Sequence, residues 1–328
     1  MSKSSGRLSL SVVTCTYSAS RTTQLLRLIE ALRAQSVTAD ELIVVVDHND
    51  ALLASVRSSL PDVTVVANRH ERGLSGGRNT GLDLARGDIV AFIDDDAVPA
   101  PGWLDGIAAG YDGPAIMGVG GPVEPAWDGE APRWFPAEFG WVVGCGYVGL
   151  PSASASVRNL IGCNMSFRRA ILEPGDTFRI ELGRVGLAPV GCEETEFCIR
   201  LSRRRPGGVL RYDPQARVRH DVPKNRMTWS YFRSRCYFEG MSKARVARLV
   251  GADIALSSER AYVARTLTAG VKRNVFESLR GDAWGLARAT AILTGLAATT
   301  LGYIACRVQL AFAPSAAAAP PAEAVRQT

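Results

Sequence analysis

Ile89-Val90-Ala91-Phe92-Ile93-Asp94-Asp95-Asp96 joins five apolar residues directly to three carboxylates. An unbroken apolar run, without alternation, marks a strand buried on both faces, as in the middle of a parallel sheet. Crowding and desolvating three negative charges at the end of such a strand is costly without a counter-cation. The simplest cation is a divalent metal, Mn2+ or Mg2+, which favours oxygen ligands and often shares them with substrate phosphates. In an open parallel sheet, ligands bind beyond the carboxyl ends of the strands. The stretch therefore predicts a metal–diphosphate site. Taken alone, such a triplet is more often a solvated acidic turn, here before Pro99 and Pro101, and the rest of the chain shifts that weighting.

Working outward, Leu8 to Thr14, Leu42 to Val46 and Val63 to Val66 read as further strands. Helical periods from about Arg21 to Ala34 and Ala51 to Leu60 separate them. Apolar strands alternating with helices give an α/β fold with a mostly parallel sheet and right-handed crossovers. Glu71 to Asp83 holds four glycines and reads as a flexible loop, with Ser75 capping the helix that carries Leu82 and Leu84. It matches neither a P-loop nor a dinucleotide fingerprint, leaving Arg72 and Arg78 as candidate anion contacts.

Further on, Trp103 to Tyr111 reads as a helix and Ala115 to Val119 as a strand. Gly120 to Ala155 is rich in Gly, Pro and Trp, an excursion suited to a lid or acceptor loop. Asn159 to Phe167 restores a strand. Gly191 to Leu201 carries the second acidic group, with Glu193, Glu194 and Glu196 in the first turn of a helix. Acids there complement the helix dipole. Placed side by side, they also raise the proton affinity of one of their number, as a general base requires. The residues alone leave both readings open. His220 follows a short strand from Ala216 to Val218, and Trp229 to Leu249 is a basic helix with Arg233, Arg235, Lys243, Arg245 and Arg248.

Composition narrows the class. The 47% hydrophobic and 21% charged content fits a globular protein rather than a disordered one. A net charge of +6, carried by arginine, suits anionic ligands without arguing for nucleic acid, and no DNA- or RNA-binding motif is present. Seven cysteines, an odd number without CxxC, read as buried free thiols of a reducing compartment. The short polar start, Met1 to Arg7, has no signal-peptide pattern. Ala289 to Cys306 carries no charge and is bracketed by Arg288 and Arg307, which favours membrane association by insertion or by lying in the interface. A docked helix is the alternative. Residues 314–328 read as disordered.

Several of these stretches together resemble a family 2 glycosyltransferase of the GT-A fold over about Leu8 to Met241. Val12 to Tyr17 resembles the nucleotide-binding first strand, with Thr14, Thr16 and Tyr17 at the nucleotide. Val44 to Asp47 resembles the strand whose Asp reads the base, usually uracil, although His48-Asn49-Asp50 replaces the usual Gly-Ser. Gly76 to Gly81 is similar to the family's Arg-Asn-x-Gly segment. Asp94 to Asp96 is the Asp-x-Asp motif, and Gly162 to Arg169 matches the acceptor-side strand containing Asn164. Glu193-Glu194 stands where the family has Glu-Asp, and His220 where some members place a metal- or diphosphate-contacting His.

The resemblance implies inverting transfer from a nucleotide sugar to an acceptor hydroxyl. Glu194 would be the base and Asp96, Asp94 and His220 the metal ligands. Thr14, Thr16, Tyr17, Asp47, Arg72, Arg78, Asp94 and Asp95 would meet the nucleotide, with Asn164 and Glu193 on the acceptor side. No Gln-x-x-Arg-Trp follows the acidic helix, which argues against a processive synthase. Polyprenyl-linked or other membrane glycans are the implied acceptors, including glucuronosyl transfer to dolichyl-type lipids, at the cytoplasmic face of the cell membrane. The implied organisation is a transferase domain over 1–225, with a nucleotide half over about 8–120 and an acceptor half over 121–225. A basic helical extension over 226–280 and an apolar segment over 281–313 follow. A nucleotidyltransferase or a non-catalytic membrane scaffold are the competing functions.

Overall fold

The computed structural model describes residues 7–184 and 191–312; the segment read as disordered, 314–328, lies outside them. The first half runs β1 (Leu10–Thr16), α1 (Thr22–Arg33), β2 (Glu41–Val46), α2 (Asp50–Ser59), β3 (Thr64–Ala67), α3 (Leu74–Leu84) and β4 (Ile89–Ile93). Then come β5 (Ala97–Pro99), α4 (Trp103–Gly110), β6 (Ile116–Gly120), β7 (Val123–Trp127), β8 (Ala155–Ser156) and β9 (Asn164–Arg168). The second half holds α5 (Glu193–Arg204), β10 (Val209–Tyr212), β11 (Val218–Val222), α6 (Trp229–Val250), α7 (Ala252–Ala255), α8 (Ser257–Ala261), α9 (Thr268–Leu279) and α10 (Gly285–Phe312).

Eight strands form the main sheet in the order β3-β2-β1-β4-β9-β6-β10-β8. The strands β3, β2, β1 and β4 are parallel, as the alternating pattern predicted, and β9 enters antiparallel between β4 and β6. The period of two sends Val12, Val44, Ile89, Ala91 and Ile93 to one face, under α1 and α4. Val13, Val45, Val90 and Phe92 go to the other, against Phe167, Phe178 and Phe197. Both faces of β4 are therefore core, and its carboxyl end is the point where the triplet leaves it. A second sheet, β5-β11-β7, stands beside that end.

Three sequence expectations are corrected. The glycine-rich stretch is a helix, not a flexible loop: a Cβ on Gly81 would lie 2.2 Å from Val13 Cγ1, so the glycine serves close packing of α3 on β1. Gly73 rather than Ser75 occupies the N-cap, and the Ser75 hydroxyl donates to the Arg179 carbonyl at 3.0 Å. His220 lies in the middle of β11, paired with Ala97 of β5 and Pro125 of β7. That pairing aims it at the end of β4 from a second sheet. The cysteines are free, and all but the half-buried Cys15 are buried.

The helix α10 packs along α6 through small residues. A Cβ on Gly240 would meet the Thr299 carbonyl oxygen at 1.9 Å, and one on Gly302 the Tyr237 carbonyl oxygen at 1.9 Å. By length and composition α10 is apolar enough to cross a membrane. Its outer side exposes Leu286, Leu293, Leu301, Ile304, Val308 and Phe312, positions that fall on one helical stripe.

Candidate active site

A cavity of about 1150 Å³ opens over the carboxyl ends of β1, β2 and β4 and reaches α5, α6 and α10. It brings together Thr16, Tyr17, Asp47, Arg72, Arg78, Asp94, Asp95, Asp96, Glu193, Glu194 and His220. Two residues proposed for the site from sequence stand apart. Thr14 is buried in β1 behind the cavity wall. Asn164 is fully buried: its amide donates to the carbonyls of Pro122 (3.2 Å) and Ala216 (2.7 Å) and accepts from Trp103 Nε1 (2.9 Å). These contacts make it a joint between neighbouring segments, and it does not line the cavity.

The strand-end acids sit among cations. Asp96 faces Arg21 at 3.0 Å, His220 Nε2 at 3.3 Å and Arg226 at 3.7 Å. Burial opposes its charge, but His220, Arg21 and Arg226 hold the carboxyl well below the usual range. Asp95 pairs with Arg21, yet burial prevails and pushes it up to about 6. His220 is raised to about 10, because its contact with Asp96 outweighs burial. Gly144, at φ 85°, passes so close that a Cβ there would lie 3.2 Å from the imidazole.

Ligand atoms from Asp94, Asp96 and His220 lie within 4.8 Å of one another. Two carboxylates, one imidazole and an open cavity side fit Mn2+ or Mg2+, whose remaining positions water and phosphate would fill.

The second acid group begins α5. Its N-cap, Cys192, takes φ 76°, a left-handed conformation uncommon for a residue other than glycine. Arg78 ties the two groups together: one nitrogen meets Asp94 at 3.1 Å and the Gly162 carbonyl at 2.9 Å, the other Glu193 at 2.7 Å. Among the described residues Glu194 has no such ion pair. Burial first, then the adjacent Glu193 charge, outweigh Arg78 and push it up to about 7.

At the carboxyl end of β2, Asp47 accepts from Asn68 Nδ2 at 2.7 Å and from the Gly73 N–H at 3.0 Å, fixing the loop before α3. His48 adopts φ 46°, where glycine is the easier residue. Arg72 donates to the His48 carbonyl at 3.1 Å, and the Arg21 guanidinium lies 5.2 Å from the centre of the exposed Tyr17 ring.

Sequence reasoning missed Arg21, Arg184 and Arg226 and assigned no site role to Arg235 or Lys243, all of which line the cavity. Lys243 bridges Glu239 (3.3 Å) and Glu259 (2.7 Å), and Arg158 meets Glu259 at 2.6 Å. The Gly120 to Ala155 excursion supplies Phe139, Trp141, Gly144, Cys145 and Tyr147 to the same wall.

Fold and site together define a GT-A glycosyltransferase. A mannosyltransferase from Pyrobaculum calidifontis, solved with GDP-Man and Mn2+, superposes with a TM-score of 0.58 at 18% identity, over 92% of this chain and 88% of that one. GalNAc-T7, solved with UDP, GalNAc and Mn2+, gives 0.51 at 16% identity over 79% of this chain and 54% of that one.

The sequence is more specific. The family model for glycosyl transferase family 2 matches residues 11–175. The glucosyl-dolichyl phosphate glucuronosyltransferase of Haloferax volcanii is 35% identical over 72% of this chain and 76% of its own length. The succinoglycan biosynthesis protein ExoM of Rhizobium meliloti is 29% identical over 73% of this chain and 75% of its own. The chain belongs to glycosyltransferase family 2, as its motifs predicted.

Proposed function

We propose that the protein is an inverting, metal-dependent transferase. It moves a sugar from a nucleoside-diphosphate donor, UDP-linked by preference, to a hydroxyl of a lipid-linked or other membrane glycan at the cytoplasmic face of the membrane. The observation that carries this reading is that the Asp94–Asp96 and Glu193–Glu194 groups line one cavity and are bridged by Arg78.

Asp94, Asp96 and His220 would hold the cation, which supplies charge neutralisation for the departing diphosphate. Arg21 and Arg226, already beside Asp96, and Arg72 at the nucleotide end add fixed positive charge where the donor's phosphates arrive. Tyr17 and Asp47 flank the nucleotide end of the cavity. Glu194 takes the proton of the acceptor hydroxyl as that oxygen attacks the anomeric carbon from the face opposite the leaving group. The exposed apolar stripe of α10 supports a protein lying on a membrane, and Leu296, Thr299 and Tyr303 of the same helix line the cavity that a lipid-linked acceptor would enter. The acceptor class is further supported by the dolichyl phosphate in the name of the Haloferax relative.

Titration calorimetry of UDP and GDP, with and without Mn2+, tests the donor site. One nucleotide is expected to bind, and to bind more tightly with metal. Binding of neither points to a scaffold. Release of pyrophosphate from a nucleoside triphosphate, instead of a nucleoside diphosphate from a sugar nucleotide, points to a nucleotidyltransferase.

A further inference from the structure

Most charges in the cavity are matched: Lys243 lies between Glu239 and Glu259, Arg158 pairs with Glu259, and Arg78 lies between Asp94 and Glu193. Two arginines break the pattern. Arg184 has no ion pair and no side-chain hydrogen bond among the described residues. The segment that follows it, 185–190, reads Val-Gly-Leu-Ala-Pro-Val and contributes no acid by composition. Arg235 pairs with Glu239 at 2.9 Å, but its Nε has no hydrogen-bond partner although the residue is only 7% exposed. Burial, then the charges of Arg235 and Arg226, lower the proton affinity of Arg184, so these guanidinium groups repel one another across the same space. Arg184 is half-buried and Arg235 buried, and a positive surplus so shielded from solvent fits an anion brought by the ligand.

Position says which ligand. Arg226 adjoins Asp96, on the diphosphate side, whereas Arg235 and Glu193, the neighbour of the base, both face Gly191, where a Cβ would lie 3.7 Å from an Arg235 nitrogen and 3.9 Å from Glu193 Oε2, and Arg184 lines the same cavity. In a single displacement the transferred sugar lies between the leaving diphosphate and the base-activated hydroxyl. We propose that Arg184 and Arg235 form a subsite for the carboxylate of a uronic-acid donor, so that the sugar transferred is itself anionic. This rests on the donor-site reading above. The subsite selects the sugar; the transfer itself balances as before, with the anomeric carbon–phosphate oxygen bond broken and the hydroxyl proton taken by Glu194.

The full chain is titrated with Mn2+ present, first with UDP and GDP, then with the glucose and glucuronate conjugates of whichever binds. The glucuronate conjugate is expected to bind roughly 10–100-fold more tightly than the glucose conjugate, the range of hydrogen bonds to a charged group. Arg184→Gln, which orphans no carboxylate among the described residues, is expected to bring that ratio close to one. Equal affinity of the two conjugates for the unaltered chain, with the nucleotide itself binding, overturns the subsite and leaves the donor site standing. A preference that survives both Arg184→Gln and Arg235→Gln overturns the assignment to these residues. If Arg184→Gln instead weakens only binding of a polyprenyl-phosphate glycan, the anion belongs to the acceptor and the proposal fails. Failure of both nucleotides to bind overturns the donor site itself.

Discussion

The two acid groups of the cavity contain the same chemistry and behave oppositely. At the end of β4, cations arriving from the N-cap of α1, from β11 and from the segment after β11 hold Asp96 ionised. At the start of α5 the guanidinium of Arg78 is committed to Glu193 and Asp94, so Glu194 stays close to neutral, at about 7. Carboxyls whose surroundings push their proton affinities apart take different jobs: the permanently charged one suits a cation, the one poised near neutrality suits proton transfer. The division is not uniform within the first group, since Asp95 rises to about 6 beside the same Arg21. The cations around Asp96 make the difference, not the sequence of three aspartates.

The sharpest way to break the comparison is to neutralise each side. Glu194→Gln is expected to lower the transfer rate about 10²–10⁴-fold, the usual cost of losing a general base. Its Mn2+-dependent nucleotide affinity is expected to stay within measurement error in calorimetry. Asp96→Asn is expected to show the reverse emphasis: loss of the metal-dependent gain in nucleotide affinity, with transfer down roughly 10²–10³-fold, as for removal of one electrostatic stabiliser. Equal losses of nucleotide binding in both variants would mean that the two groups form one ligand set and that no separate base exists.

The pH profile is the next test. Glu194 must be ionised to accept a proton, so the rate should climb through its value near 7 and fall about tenfold for each pH unit below it. A flat profile from pH 5 to 8 at saturating donor, measured by nucleotide release, would remove Glu194 from the proton-transfer step.

How much of this was legible in the sequence depended on whether the informative residues were contiguous. Asp94 to Asp96 continue the strand that buries them, and Glu193-Glu194 sit side by side, so both groups stand out locally, although only the family resemblance turns them from candidate acidic turns and caps into site residues. Arg21, Arg184 and Arg226 were invisible because each is one arginine in an arginine-rich chain, carried to the cavity by packing between distant elements. The spacing of Arg226, six residues after His220, is the faint signal that was available. Asn164 enters the site only through the resemblance of Gly162 to Arg169 to an acceptor-side strand; nothing local in the sequence shows its partners, two backbone carbonyls and the Trp103 indole, which segments about 40 to 60 residues away supply. The glycines of α3 read as looseness because composition registers a missing side chain and not the Val13 methyls that occupy its place.

The smallest expected effect concerns stability, and its sign separates the two groups without any substrate. The Glu194 carboxyl titrates near 4.5 when unfolded and near 7 in the folded protein. Between those values the folded state binds more protons, so stability falls as pH rises through the window. Above it the wild-type chain carries the full cost of a charged carboxylate beside Glu193, which Glu194→Gln does not. The variant should therefore melt at the wild-type temperature below pH 4.5 and roughly 2–4 °C higher at pH 8, by differential scanning fluorimetry. Asp96 has the opposite linkage: its lowered proton affinity contributes stability above the ordinary aspartate range and loses it as pH falls. Asp96→Asn should then melt below wild type at pH 8. If both variants shift the same way at that pH, burial alone sets the electrostatics of the cavity, and the cations around Asp96 do not distinguish it from Glu194.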